Sequence, residues 1–186
     1  MTTKPSHKPQ VNPRSMLEKI VVNAGIGRAS QQPNFEEKIL PQIMRDVSTI
    51  AGQKPQIRRT RKSIAGFKIR EGQVVGLKVT LRRRKMIDFL TRLLTIVLPR
   101  VRDFSGIGQD SVDEGGALNI GFRDQYVFPE INPEESGFAF SLGVNLVPRK
   151  HKRAQSMESY KELGVPFKGL AQERELKAKS RLAAKP

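Results

Sequence analysis

The chain has 186 residues, room for one domain with or without tails, and its 34 Lys and Arg against 18 Asp and Glu leave a net charge of +16. Self-repulsion on that scale is relieved by a polyanion, so nucleic acid is the first partner to consider. With no Cys and two His, His7 and His151, disulfides, thiolate catalysis and Cys-ligated zinc are excluded.

No apolar run approaches the ~20 residues of a membrane span, and the N-terminus carries Lys and Pro rather than an apolar signal core, so a soluble, cytoplasmic protein is expected. Residues 1–15 hold Pro5, Pro9 and Pro13 among polar and basic neighbours and read as a flexible basic arm. Leu17 to Ala24 reads as a strand closed by Gly25 and Gly27. From Phe35 to Ala51 the apolar residues Ile39, Ile43, Met44, Val47 and Ile50 fall at three- and four-residue steps. That spacing predicts an amphipathic helix stopped by Gly52, with Pro41 either at its start or at a kink. Pro55 to Arg59 is a short extended piece, and Val74 to Arg82 alternates, with Val75, Leu77, Val79 and Leu81 expected inward.

Lys85 to Leu98 predicts a second amphipathic helix, ended by Pro99. Leu118 to Phe122, Tyr126 to Phe128 and Phe138 to Val147 supply further strands, and Ser156 to Leu163 a short helix starting from a Ser cap. The expected fold class is α+β, a mostly antiparallel sheet of about five strands with helices on one face and the polar face open. It forms a single domain over residues 16–168, followed by a basic tail from 169 to 186.

The charge is segregated. Lys54 to Lys85 holds twelve Lys or Arg against Glu71, a net +11, whereas Asp103 to Val147 holds eight acids against Arg123, a net −7. The densest basic stretch, Arg58 to Gly72, surrounds Ile64, Ala65, Gly66 and Phe67, and suits phosphate contacts, with Phe67 either stacking on a base or anchoring the loop. Phosphate contacts do not select a sequence. Selectivity needs short polar groups on a rigid surface, and Asn23, Gln53 and Thr80 are the candidates.

Three other patterns carry less. Gly25-Ile26-Gly27 lacks the third glycine of a dinucleotide fingerprint and reads as a turn. The acids Asp110, Asp113 and Glu114, or Glu130, Glu134 and Glu135, are arranged as solvated loops more than as a Mg²⁺ site. His7 and His151 stand in basic surroundings that suit surface residues. No cofactor, metal or small-molecule substrate is expected.

The strings IAGQKPQIRRTRKSIAGFKIREG, GLKVTLR, LLTIVLPRVRDFSG and NIGFRDQYVFPEI, in that order and preceded by LEKIVVNAGIG, resemble the L5 family of bacterial large-subunit ribosomal proteins from Val11 to Phe167. The resemblance implies a structural, non-enzymatic protein of the central protuberance, with a concave antiparallel sheet that grips 5S rRNA. It places Asn23, Gln53 and Thr80, with Lys54, Lys78 and Arg82, at 5S rRNA. It assigns Arg58, Arg59, Arg61, Lys62, Lys68 and Arg70 to phosphates of large-subunit rRNA or of the peptidyl-site tRNA elbow. Asp110, Asp113, Glu114 and Asp124 match a bridge to a basic protein of the small-subunit head.

The sequence departs from the family in four places, one of them the basic tail from 169 to 186, which follows the usual end and is expected to contact rRNA. The Pro-rich arm replaces an N-terminal helix, the loop after Gly27 is long, and the last strand reads FAFSLGVNLVPRKHKR where a Thr-rich strand and acidic turn are usual. The competing readings are a Mg²⁺-dependent nucleic-acid enzyme built on the acidic loops and a nonspecific nucleic-acid-compacting protein.

Overall fold

The computed structural model describes residues 13–27, 29–149 and 152–169. His7, His151, most of the expected arm and the tail beyond Gly169 lie outside the described residues. The end of the expected arm is structured: Pro13–Met16 forms a helical turn, α1, with Pro13 buried and the Arg14 carbonyl accepting from Arg149 Nε at 2.9 Å.

Strand β1, Leu17–Gly25, follows at once, and its alternating pattern sends Ile20, Val22 and Ala24 inward. A wide π turn, Phe35–Ile39, leads into α2, Leu40–Ala51, which buries Leu40, Ile43, Val47 and Ile50. Strands β2, Gln56–Arg59, and β3, Val74–Leu81, form a hairpin, and α3, Arg83–Arg92, continues through a second π turn, Leu93–Val97, into α4, Leu98–Arg100. Then come β4, Leu118–Phe122, β5, Leu142–Pro148, and α5, Arg153–Glu162.

The five strands make one antiparallel sheet in the order β2-β3-β1-β5-β4. The inward residues of β1, β3, β4 and β5 merge with those of α2 and α3 into one apolar cluster. Burial of this face is the main favourable term in the fold.

Both prolines that threatened a helix sit inside one, by the same device. The Leu40 N–H bonds back five residues to the Phe35 carbonyl, and the Leu98 N–H to the Leu93 carbonyl. The next residue, Pro41 or Pro99, therefore lies in the first turn of a new α segment, where a missing N–H leaves no bond unmade. The helix expected to end at Pro99 thus runs to Arg100.

Three other expectations are corrected. In β3 the inward residue is Val74, not Val75, because a bulge opposite Arg58 and Arg59 reverses the phase of alternation beyond Gly76. Tyr126 to Phe128 is no strand: Gln125–Val127 is a 3₁₀ turn, started by Asp124 accepting from the Tyr126 N–H at 3.1 Å. The last strand begins at Leu142 rather than Phe138. The buried amide of Gln125 takes the place of a ladder there, donating to the Phe138 carbonyl at 2.8 Å and accepting from the Phe140 N–H at 2.9 Å.

Helix α5 starts at Arg153, so Ser156 is a buried interior residue and not a cap. The wholly buried Tyr160 in α5 places its hydroxyl 2.8 Å from the Gly116 carbonyl and 2.9 Å from that of Leu146. Burial pushes this phenol up, so it stays a donor and fastens α5 to the β4–β5 side. No described helix is long and apolar enough to cross a membrane.

Candidate nucleic-acid interface

Strand register decides which residues share the open face. Asn23 stands opposite Lys78 on β3 and Gly143 on β5, Lys78 opposite Gln56, and Gly143 opposite Gly121. The neighbouring row runs Thr80, Val21, Asn145, Asn119 across β3, β1, β5 and β4. These residues have the opposite parity to the core, so they look away from the helices. Gln53, just past the Gly52 cap of α2, reaches this region and donates from Nε2 to the Thr80 carbonyl at 3.3 Å.

The fold therefore brings Asn23, Lys78 and Thr80 together on a surface without helices, with Gln53 joined to the Thr80 backbone. Asn23 is exposed and the other three half-buried. Lys54 is exposed beside Gln53. Arg82 is exposed but partly engaged, its guanidinium 3.2 Å from the Glu18 carboxylate. Lys19 and then Arg82 hold the half-buried Glu18 carboxyl below its ordinary value.

The basic loop is a structured extension of the β2–β3 hairpin. The Thr60 N–H donates to Gln73 O at 2.9 Å, and Ile64 and Ile69 exchange backbone hydrogen bonds of 2.9 and 3.2 Å. A 3₁₀ turn, Ala65–Phe67, caps the tip, with Lys68 in the left-handed region at φ 52°. Side chains of the preceding loop tie the extension down: Gln31 Nε2 donates to Phe67 O at 3.3 Å and Gln73 Nε2 to Ser30 Oγ at 2.8 Å.

Arg58, Arg59, Arg61, Lys62, Lys68 and Arg70 are all exposed on this extension. Arg59 is committed locally, its guanidinium 2.9 Å from Gly72 O and 4.0 Å from Glu36. Phe67 is 70 % exposed at the tip, so of the two roles open to it the anchoring one is lost and an aromatic plate is presented to solvent.

The acids do not form one group. Asp110, Asp113 and Glu114 are exposed before β4, whereas Asp124 follows its far end, half-buried and capping the 3₁₀ turn. Asp113 shapes its own loop by accepting from the Ala117 N–H at 2.7 Å, and Asp110 lies 4.0 Å from Arg153. Among the described residues, no three acids or His converge as metal ligands would. Glu130 pairs instead with Arg92, which also donates to Ile50 O at 3.0 Å.

Asn145, Asn119, Gly143 and Gly121 were not among the sequence candidates, although all four lie on the open face. The alternation of β5 and β4 already assigned them outward parity; their convergence on Asn23 depends on the β1–β5–β4 order.

A helix-backed antiparallel sheet with an open polar face, next to a rigid cationic hairpin carrying an exposed aromatic, defines an RNA-binding protein. Two family models cover nearly all the described residues: Ribosomal protein L5 over residues 13–70, and the ribosomal L5P family C-terminus over residues 74–167. Proteins called large ribosomal subunit protein uL5 match over 152 residues, 82 % of this chain. The one from Rubrobacter xylanophilus is 47 % identical over 82 % of its own length, and the one from Fusobacterium nucleatum 44 % over 81 %. That from Chlorobaculum tepidum is 41 % identical over 81 % of its length. The chain belongs to the ribosomal protein L5 family, structural and non-enzymatic constituents of the large ribosomal subunit.

Proposed function

We propose that this chain binds 5S rRNA through the open sheet face and reaches the elbow of peptidyl-site tRNA with the hairpin extension. Its exposed acids before β4 would meet a basic protein of the small-subunit head. One observation carries the reading: strand register gathers Asn23, Lys78 and Thr80 on a face that no helix covers, with Gln53 hydrogen-bonded to the Thr80 backbone.

Short neutral side chains on a rigid sheet can pair with base edges and 2′-hydroxyls, and Lys78 beside them neutralises phosphate. The hairpin supplies the complementary arrangement, the exposed cations Arg61, Lys62, Lys68 and Arg70 on the loop that carries Phe67, which suits an RNA corner with exposed phosphates and unpaired bases. Asp110, Asp113 and Glu114 carry the opposite sign at another corner, where weak exposed ion pairs suit a contact that must be remade as subunits move. Asp124, whose carboxylate serves the 3₁₀ turn, contributes charge there at most.

Asn23→Ala with Thr80→Ala tests the face. Filter binding to 5S rRNA should weaken by roughly 1–3 kcal/mol with the salt slope nearly unchanged, because no charge is removed. Unaltered affinity, or displacement of wild type from 5S rRNA by duplex DNA at equal nucleotide concentration, refutes a selective 5S site.

A further inference from the structure

Three asparagines cross the open face as a directed chain. Asn23 Nδ2 donates to Asn145 Oδ1 at 2.6 Å, and Asn145 Nδ2 donates to Asn119 Oδ1. The amide of Asn145 thereby uses a donor and an acceptor inside the protein. The chain leaves the acceptor Asn23 Oδ1, beside the second N–H of its own amide, at one end and the Asn119 Nδ2 donors at the other, on the edge strand β4.

One neighbour favours this direction and a second makes room for the amide. Lys78, the cross-strand partner of Asn23, has donors and no acceptor, which favours oxygen rather than NH₂ as the free end of the Asn23 amide. Gly143, its partner on the other side, gives the amide room to lie flat: a Cβ there would stand 2.5 Å from Asn23 Oδ1 and 3.0 Å from Nδ2. Beyond it, a Cβ on Gly121 would meet nothing within 4 Å, so the protein's own packing does not demand glycine at a position where it weakens the strand. The floor beside the amide stays low enough for a ligand backbone to approach.

We propose that Asn145 is a positioning residue that holds the Asn23 amide with Oδ1 presented as a hydrogen-bond acceptor, so that this atom recognises a donor on RNA. RNA offers two such donors in a groove, the ribose 2′-hydroxyl and the exocyclic amine of guanine. Lys78 takes the phosphate next to it. An amide locked before binding loses no rotational freedom when the ligand arrives, which is where Asn145 contributes affinity. The inference rests on the reading that this face meets 5S rRNA.

The test is analogue interference mapping on 5S rRNA transcripts carrying, in separate pools, scattered 2′-deoxy residues, inosine for guanosine, or phosphate-blocking substitutions. Asn145→Ala and Gly143→Ala are compared with wild type and with Asn23→Ala. Gly143→Ala removes no polar group and swings only the flexible Asn23 side chain, so a fold loosened by loss of Asn145 cannot imitate it.

Both variants should bind between about threefold and about tenfold more weakly at an unchanged salt slope. Each should lose one wild-type interference position, the same one that Asn23→Ala loses. Loss in the deoxy pool assigns the 2′-hydroxyl, and loss in the inosine pool the guanine amine. A wild-type interference pattern in Asn145→Ala, or loss of a phosphate position instead, overturns the proposal. Wild-type binding by Asn23→Ala itself overturns the underlying reading of the face.

Discussion

Salt dependence separates the work of the hairpin from that of the sheet face, and the structure shows which cations to remove. Arg61, Lys62, Lys68 and Arg70 are exposed on the extension and have no ion-pair partner among the described residues, whereas Arg59 is held by Gly72 O and Glu36. The fourfold variant is Arg61→Ala, Lys62→Ala, Lys68→Asn and Arg70→Ala. Asn is chosen at Lys68 because the residue sits at φ 52°, a conformation Asn tolerates and Ala resists. The backbone bonds that shape the loop, such as those between Ile64 and Ile69, are untouched.

Each phosphate neutralised contributes about 0.7–0.9 to the slope of log affinity against log salt, so losing four contacts flattens it by about 3–4. Between ~50 and ~200 mM salt this makes the affinity of wild type fall about two decades further than that of the variant. The assay is fluorescence anisotropy of labelled tRNA over that range, with thermal melting as the control for folding. Parallel lines for wild type and variant would refute the assignment of these cations to RNA phosphate.

Tyr160→Phe should lower stability by about 1–3 kcal/mol, read as a drop in melting temperature, since two buried carbonyls lose their shared donor. Gly116→Ala should cost a similar amount, because Gly116 sits at φ +80° and a Cβ there runs into the side chain of Ser156. Glu18, held below its ordinary value first by Lys19 and then by Arg82, should titrate closer to that value by NMR in Arg82→Met. The sign follows from the depressed value: Glu18 favours the folded state above the ordinary carboxylate range, and this contribution fades as pH falls through its own value.

The segregation of charge was legible in the chain because charge and polarity are counted, not folded. A +11 stretch followed by a −7 stretch puts opposite charge on different segments whatever the tertiary structure. The strands β1, β3, β4 and β5 and the two long helices were legible too, since periods of two and of three to four residues are local properties. The α+β class follows from those elements alone.

What failed locally was settled by contacts distant in sequence. Tyr126 to Phe128 has strand composition, yet Phe128 instead packs against Phe122 with ring centroids 5.5 Å apart, and the Gln125 amide takes the backbone groups a strand would have paired. Ser156 has the chemistry of a cap, but α5 starts at Arg153 and Ser156 packs inside it against Gly116. The π turns that admit Pro41 and Pro99 leave no mark in the apolar spacing.

The site divides along the same line. Sequence alone determined that Asn23 and Thr80 sit on strands, that Asn145 has outward parity, and that the loop from Arg58 to Arg70 is cationic. Only the order β2-β3-β1-β5-β4 decided that Asn23 lies against Asn145 rather than among solvated turns, and that Gly143 lies beneath it. Parity is a property of one strand, whereas adjacency belongs to the pairing of strands over a hundred residues apart, and the buried face on the other side of the sheet sets that pairing.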